Sequence, residues 1–541
     1  GSPLALPAHA STASVAPQAS VAPHAVSDSY QVTAGQKLVE TARAGVQGND
    51  SGGPLGIVSH TDPAHGALTL NPDGSFRYQP AKGFTGTDSF SYTTSNAVQV
   101  YNDDVPALAT VGGVRLTGGG YGSSLTPKPG SSKEFYGLTD RGPNVTGPDG
   151  NQVEPIPDFD PSIGLFRLQA GGVAHLLKRI PLRAADGTPY SGNVNSANPT
   201  GETIEDMAGH ALPQDPNGYD SEGLVVMKDG TFWVSDEYGP FITHFTAKGR
   251  AIQRLSPLDG TLPAELAHRI PNKGMEGLTV TPDGKMLVGL MQSALQQPDL
   301  GSSNAKKLTP TRIVTYTLKT GAVHEYLYLL HDPATTGTAN SEITALSDTQ
   351  FLVDERDGNF ATPTSPAFKR LYRIDLTGAT DIGPAATVPG ATYSSAEGLT
   401  VGGKSIEALT VGENTAAAQS TLSADGIDVT SSSLDVDIDA VLAAVDPDRT
   451  LFSHDKMEGV ASLDGGRTLV ISNDSDFGIS SAISAAGGSA TTAPYELIAK
   501  DDPLTGQQDD GQLLVIHTDR LPAQVSTATV TIHVTAPRHG R

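Results

Sequence analysis

Polar and apolar residues alternate in short runs along most of this chain. Between about Ser27 and Asn96 the segments SYQVTA, LGIVSH, GALTLNPDGSFRYQPA and TDSFSYTTS carry period-two alternation, separated by Asn-Asp, Pro-Asp-Gly and Gly-Phe-Thr-Gly turn signals. Short strands with turn chemistry between them predict a β-sandwich. Beyond about Val105 the pattern becomes a long series of strand pairs. Near the C-terminus VSTATVTIHVTAP sets Ala528, Val530, Ile532 and Val534 against Thr529, Thr531 and His533, one half-buried strand with no later segment to pair with.

The strand pairs repeat. DSEGLVVMKDGTFWVSDEYGP from Asp220, GMEGLTVTPDGKMLVGLMQS from Gly274, NSEITALSDTQFLVDERDGN from Asn340 and KMEGVASLDGGRTLVISNDSDFG from Lys456 align by eye. Their glutamates stand 54, 66 and 116 residues apart, the last interval about two repeats long. Repeats of ~40–60 residues built from short strands predict propeller blades. YGSSLTPKPGSSKEFYGLTDRGPN is a further copy without the Glu-Gly, and SSAEGLTVGGKSIEALTV around Glu397 supplies a weak one. The count is six blades, with five the alternative. Ring closure is expected to bring Leu513–His517 beside the first segments after Asp104.

The run from Gly48 to Ala97 resembles the bacterial Ig-like, cadherin-like modules of multidomain proteins, which act as spacers or adhesion units. Such modules continue from a TDSFSYT strand into a STATVTI strand, and here those two are separated by the whole repeat region. The expected architecture is therefore all-β, a propeller inserted into an Ig-like sandwich, with Thr527–Thr535 pairing with Asp88–Thr94. The expected divisions are a flexible leader over 1–26, the first part of the sandwich over 27–100, the propeller over 105–521, and the last strand and tail over 522–541.

Composition narrows the chemistry. A chain of 541 residues with 60 Gly and 38 Pro suits several turn-rich domains. No apolar run approaches the ~18 residues of a membrane span. A net charge of −24 argues against nucleic acid and for cations. Without cysteine, disulfides, thiolate metal sites and cysteine nucleophiles are excluded. The Ala/Pro/Ser leader is of the sort left behind a removed signal peptide, so export is expected.

In a propeller the innermost strands line a channel, so Glu222, Glu276, Glu342 and Glu458 are expected to converge there. Carboxylates crowded away from water repel one another and call for a cation; oxygen-only ligands point to Ca²⁺, or to Mn²⁺ and Mg²⁺. The second strands end in further polar groups: Asp140-Arg141, Asp236-Glu237, Gln292, Asp354-Glu355-Arg356 and Asn473-Asp474-Ser475-Asp476. Asp474 joins the metal set. Arg141 and Arg356 offer forks for a phosphate or carboxylate, and Lys273 and Lys456 add point charge for substrate. The competing reading makes Glu-Gly a packing device between blades and the cations ordinary salt-bridge partners. Asp229-Gly230, Asp283-Gly284 and Asp464-Gly465 read as hairpin turns, and His244, His331 and His454 as surface or loop histidines.

These motifs, with YGLTDRGPN before them, resemble the phytase-like family described as having esterase-like activity, over about residues 105–520. The resemblance implies hydrolysis of phosphoric esters through Glu222, Glu276, Glu342, Glu458, Asp140, Asp236, Glu237 and Glu355. Gln292 departs from it, placing an amide where a carboxylate would be natural. The expected function is a secreted, metal-dependent phosphoric ester hydrolase. A small-molecule phosphodiester of the glycerophosphodiester type is favoured over a monoester or phytate because only two arginines face the wall, with a metal-activated water positioned by Glu237 or Glu355. The alternatives are a Ca²⁺-dependent lactonase or esterase and a non-catalytic Ca²⁺-binding adhesion module. No Gly-x-Ser-x-Gly elbow, Walker loop or dinucleotide fingerprint is present.

Overall fold

The computed structural model describes residues 21–539. Of the expected leader, residues 1–20 lie outside the described residues, whereas His24 exchanges backbone hydrogen bonds with Ser51 (2.8 and 3.0 Å).

Period-two alternation folds as it reads. One sheet orders Asp28–Thr33, Val525–Thr535, Gly86–Ser95 and Gly56–His60, and a second orders Leu38–Glu40, Phe76–Pro80 and Gly66–Leu70. Phe76, Tyr78, Phe90, Tyr92, Val530 and Ile532 interdigitate between them. The C-terminal strand pairs antiparallel with Gly86–Ser95, Ile532 opposite Asp88 and Ser526 opposite Thr94, so the insertion expected from sequence is present. Ala528, Val530, Ile532 and Val534 are its buried face.

Among the described residues, five four-stranded units form the propeller. The first comprises Ser124–Pro127, Glu134–Leu138, Ser162–Gln169 and Val173–Pro181; the second Ser221–Val226, Phe232–Asp236, Ile242–Phe245 and Ala251–Leu255. The third comprises Met275–Val280, Met286–Met291, Pro310–Thr317 and Val323–Leu329; the fourth Ala339–Ala345, Gln350–Arg356, Lys369–Asp375 and Ser431–Asp437. The fifth comprises Met457–Leu463, Thr468–Asn473, Gln512–His517 and Val98–Asp104. The five inner strands neighbour one another in a closed ring.

The count is thus the alternative one, and the reason lies at Glu397. That segment forms only a three-stranded sheet, Ala391–Ser394, Gly398–Val401 and Lys404–Ser405, before an Ala-rich stretch makes the helix Thr415–Ala424 capped by Asn414. It is an insertion between the third and fourth strands of the fourth blade. Closure also differs in detail. Gln512–His517 pairs with Val98–Asp104, not with the segments after it, and Val98–Asp104 then pairs with Val173–Pro181 of the first blade. The hairpin turns hold Gly230, Gly284 and Gly465 at φ of 83°, 73° and 66°, the left-handed region their sequence predicted.

Candidate functional site

The Glu-Gly step is a β-bulge. In the second blade Ser221 pairs with Asp236 and Gly223 with Ser235, which leaves Glu222 unpaired. Glu276 is left out in the same way between the Met275–Met291 and Gly277–Leu290 pairs, and Glu458 lies in the bulge between Met457 and Val460. A bulged residue leaves the alternation of its strand, so its side chain is aimed independently. The glycine that follows permits the inner strands to touch: a Cβ on Gly223 would stand 2.7 Å from the Leu278 Cβ, and one on Gly277 2.7 Å from the Ile343 nitrogen.

Three bulged glutamates therefore meet, with one carboxylate oxygen each from Glu222, Glu276 and Glu458 within 4.8 Å of one another. Glu222 is shared with a second triad, Asp220, Glu222 and Glu237, on the same distance criterion. Asp140, Asp474 and Asp476 make a third. All but the half-buried Asp476 are withdrawn from water. Burial first, then the charges of Glu276 and Glu237, push Glu222 well above the ordinary carboxylate range. Burial and Glu237 do the same to Glu276, and burial with Asp476 raises Asp474 to about 8. Asp476 goes the other way: burial opposes its charge, but Lys456 and Lys500 hold it below the usual range.

The cations of the site are mostly engaged. The Arg356 guanidinium binds Glu458, Ser341 Oγ (2.9 Å) and the Asp357 carbonyl (3.1 Å). Arg141 donates to Glu202 (3.4 Å), Tyr238 (3.3 Å) and Asn144 (3.1 Å), and its backbone N–H to Asp220 (3.2 Å). Lys456 donates to Asp476 (2.9 Å). Lys500 contacts Asp455 (2.7 Å), Asp476 (3.0 Å) and Asp509 (3.2 Å). Gln292, with its amide nitrogen towards them, donates to Glu237 Oε1 (2.7 Å) and to the Asn272 carbonyl (3.1 Å).

Three of the expected site residues stand elsewhere. Glu342 accepts from Ser124 Oγ (2.6 Å) and from the N–H groups of Leu278 (3.3 Å) and Ile343 (3.2 Å). Asp236 clamps the following loop through the Gly239 and Phe241 N–H groups (3.2 and 2.6 Å). Both oxygens of Glu355 are occupied, by Tyr328, His331 and Thr338. His454, expected at the surface, is buried between Asp509 and Gln512 (2.7 Å each). Asp220 and Lys500 carry no signal of their own. Asp220 is marked only by standing two residues before a Glu-Gly glutamate, and Lys500 lies in no repeat.

Residues 117–477 match the phytase-like family, described as the esterase-like activity of phytase. The chain belongs to the phytase-like family. Residues 20–103 match a bacterial Ig domain. An uncharacterized secreted protein of Arthroderma benhamiae is 28% identical over 356 residues, 53% of this chain and 65% of that protein. The phytase-like chain thus spans a little under two thirds of that curated relative. Among solved structures, a Dos1 propeller overlays with TM-score 0.29 at 8% identity, covering 85% of this chain and 95% of that one. A catalytically inactive virginiamycin B lyase from Staphylococcus aureus gives TM-score 0.28 at 13% identity, covering 77% and 98%.

The donor set fits a hard divalent cation. It is all oxygen, and Glu276 Oε2 and Glu458 Oε2 are buried with no partner among the described residues.

Proposed function

We propose that this protein is an exported, divalent-metal-dependent hydrolase of phosphoric esters that prefers small-molecule phosphodiesters to monoesters or phytate. The observation that carries the reading is the pair of carboxylate triads sharing Glu222, too many buried acids to be ionised together without a cation. Asp220, Glu222, Glu276 and Glu458 would hold the ion, Ca²⁺ or else Mn²⁺ or Mg²⁺, with Asp140, Asp474 and Asp476 as the adjoining set. Such an ion supplies polarisation of a phosphoryl oxygen and a bound water of lowered pKa.

The chain's own groups do the rest. Glu237, oriented by Gln292, positions the attacking water and takes its proton. Arg356 fixes Glu458, and Arg141 fixes the Asp220 loop rather than gripping substrate, because its donors already have acceptors. Glu355 is left out of proton transfer by its full set of partners. A site this acidic suits a singly charged diester better than a polyanion. Export is supported by the secreted fungal relative, and no helix among the described residues is long and apolar enough to cross a membrane.

Chelation followed by Ca²⁺, Mn²⁺ or Mg²⁺ add-back, assayed on bis-p-nitrophenyl and p-nitrophenyl phosphate, tests this. Activity should vanish and return, and be higher on the diester; turnover untouched by chelator overturns the metal role. The family's esterase-like description favours a second reading, hydrolysis of carboxylic esters or lactones at the same carboxylates. Lactone turnover without phosphoester turnover would establish it.

A further inference from the structure

Two cations beside the acidic cluster lack the partners the others have. Arg269 is only 7% exposed. Its Nη2 donates to the Asn198 carbonyl (2.7 Å), its Nε is buried without a partner, and it makes no ion pair among the described residues. The charges acting on it are those of Asp236, Glu202 and Glu237. The Lys273 side chain is half-buried, its ammonium makes no hydrogen bond or ion pair among the described residues, and it lies in the field of Glu237 and Glu276 as well as that of Arg356 and Lys306. A buried guanidinium without an anion is costly to keep, and the half-buried ammonium of Lys273 has no partner of its own, so both groups are open to a negative ligand.

The backbone joins them. Ile270 and Lys273 bridge across a tight turn (Lys273 N–H to Ile270 O, 2.9 Å), with Asn272 in the left-handed region at φ 63°. Gln292 ties this turn to the site by donating to both the Asn272 carbonyl and Glu237. On the other side, Asn198 accepts from Arg269 and donates to the Gly239 carbonyl (3.0 Å), in the loop that Asp236 clamps. The turn that carries the two cations is thus tied to Glu237 through Gln292 and to the loop after Glu237 through Asn198.

We propose that the Arg269–Lys273 turn is the phosphoryl-anion subsite, its guanidinium and ammonium receiving the non-bridging oxygens of a phosphate ester beside the carboxylate cluster. This rests on the hydrolase reading. Arg269 supplies planar donors at a fixed place, and Lys273 a movable point charge. Arg141 and Arg356, the arginines that sequence singles out for this task, are spent on the protein itself.

Binding of dimethyl phosphate to the full chain in the presence of Ca²⁺, followed by saturation-transfer NMR, separates the subsite from turnover. Arg269→Met should weaken binding about tenfold and Lys273→Met somewhat less, with partial recovery in Arg269→Lys. Exposed Lys404→Met should change nothing. Melting curves check folding; if Arg269→Met does not fold, Lys273→Met and Arg269→Lys decide. Undiminished binding in the folded variants, or no binding by the wild type, overturns the proposal. Binding that depends on the pair without turnover of any phosphoester leaves the subsite standing and removes the hydrolase. Turnover with KM unmoved by the variants does the reverse.

Discussion

The third and fourth blades open on the same carboxylate and use it in opposite ways. In Met275-Glu276-Gly277 the bulge falls on the glutamate, which enters the acidic cluster. In Asn340-Ser341-Glu342-Ile343, Asn340 pairs with Glu355 and Glu342 with Asp354, so the bulge falls on Ser341. Ser341 then faces Arg356 (2.9 Å), while Glu342 turns between the inner strands to bind Ser124 and the Leu278 N–H. A shift of one residue sends a strand's side chains to the other face. The difference shows in the next residue: glycine follows the glutamates that converge, and isoleucine follows the one that does not.

The largest expected effect separates these two glutamates by function. Glu276→Gln should lower turnover by ~100-fold or more, as loss of a charged ligand does, with the fold kept because glutamine has the shape and neutrality of the protonated acid. Glu342→Gln should leave turnover within a few-fold of wild type. Steady-state rates on bis-p-nitrophenyl phosphate beside melting temperatures decide it; equal rate losses at the two positions would end the distinction.

Metal removal sharpens the same contrast through pH. Glu222, Glu276 and Asp474 hold protons in the folded, metal-free protein at pH values where the unfolded chain has released them. Groups raised in this way stabilise the fold below the ordinary carboxylate range and lose that contribution as pH rises, through about 8 for Asp474. The melting temperature of chelated protein should therefore fall between about pH 5 and pH 8. Stabilisation by added Ca²⁺ should grow over the same interval, with proton release visible by calorimetry in two buffers. In Glu276→Gln the pH slope should flatten, and in Glu342→Gln the response to Ca²⁺ should persist.

The third effect is on stability alone. Glu342→Ala strips the partner from Ser124 Oγ and the Leu278 N–H, at a cost of ~1–3 kcal/mol by urea denaturation. This role shows how far sequence reaches. The sandwich was legible down to strand pairing, because alternation such as Ala528 to Val534 reports a face against an apolar core. The hairpins were legible for the same reason, as was the convergence of Glu222, Glu276 and Glu458. The blade count was not, because the Glu397 segment copies a motif without the strands that complete a blade. The fates of Glu342, Glu355 and Asp236 were hidden because they hang on bulge phase and on partners far along the chain, such as Ser124 for Glu342 and Tyr328 for Glu355.

The smallest effect tests the two kinds of glycine in one hairpin. Gly277 lies against the fourth blade, where an added Cβ meets the backbone of Ile343 and Glu342 at 2.7–3.1 Å. Gly277→Ala must push two inner strands apart, which should cost ~1–3 kcal/mol and also disturb Glu276 beside it, lowering turnover. Gly284, at the hairpin's other end, has nothing within 4 Å of an added Cβ, and only its φ of 73° resists substitution. Gly284→Ala should cost ~1 kcal/mol with rates and Ca²⁺ response unchanged. Denaturation and kinetics on the two variants then separate a glycine required by contact from one required by conformation. A turnover loss in Gly284→Ala would mean that the turn, and not the bulge, sets the position of Glu276.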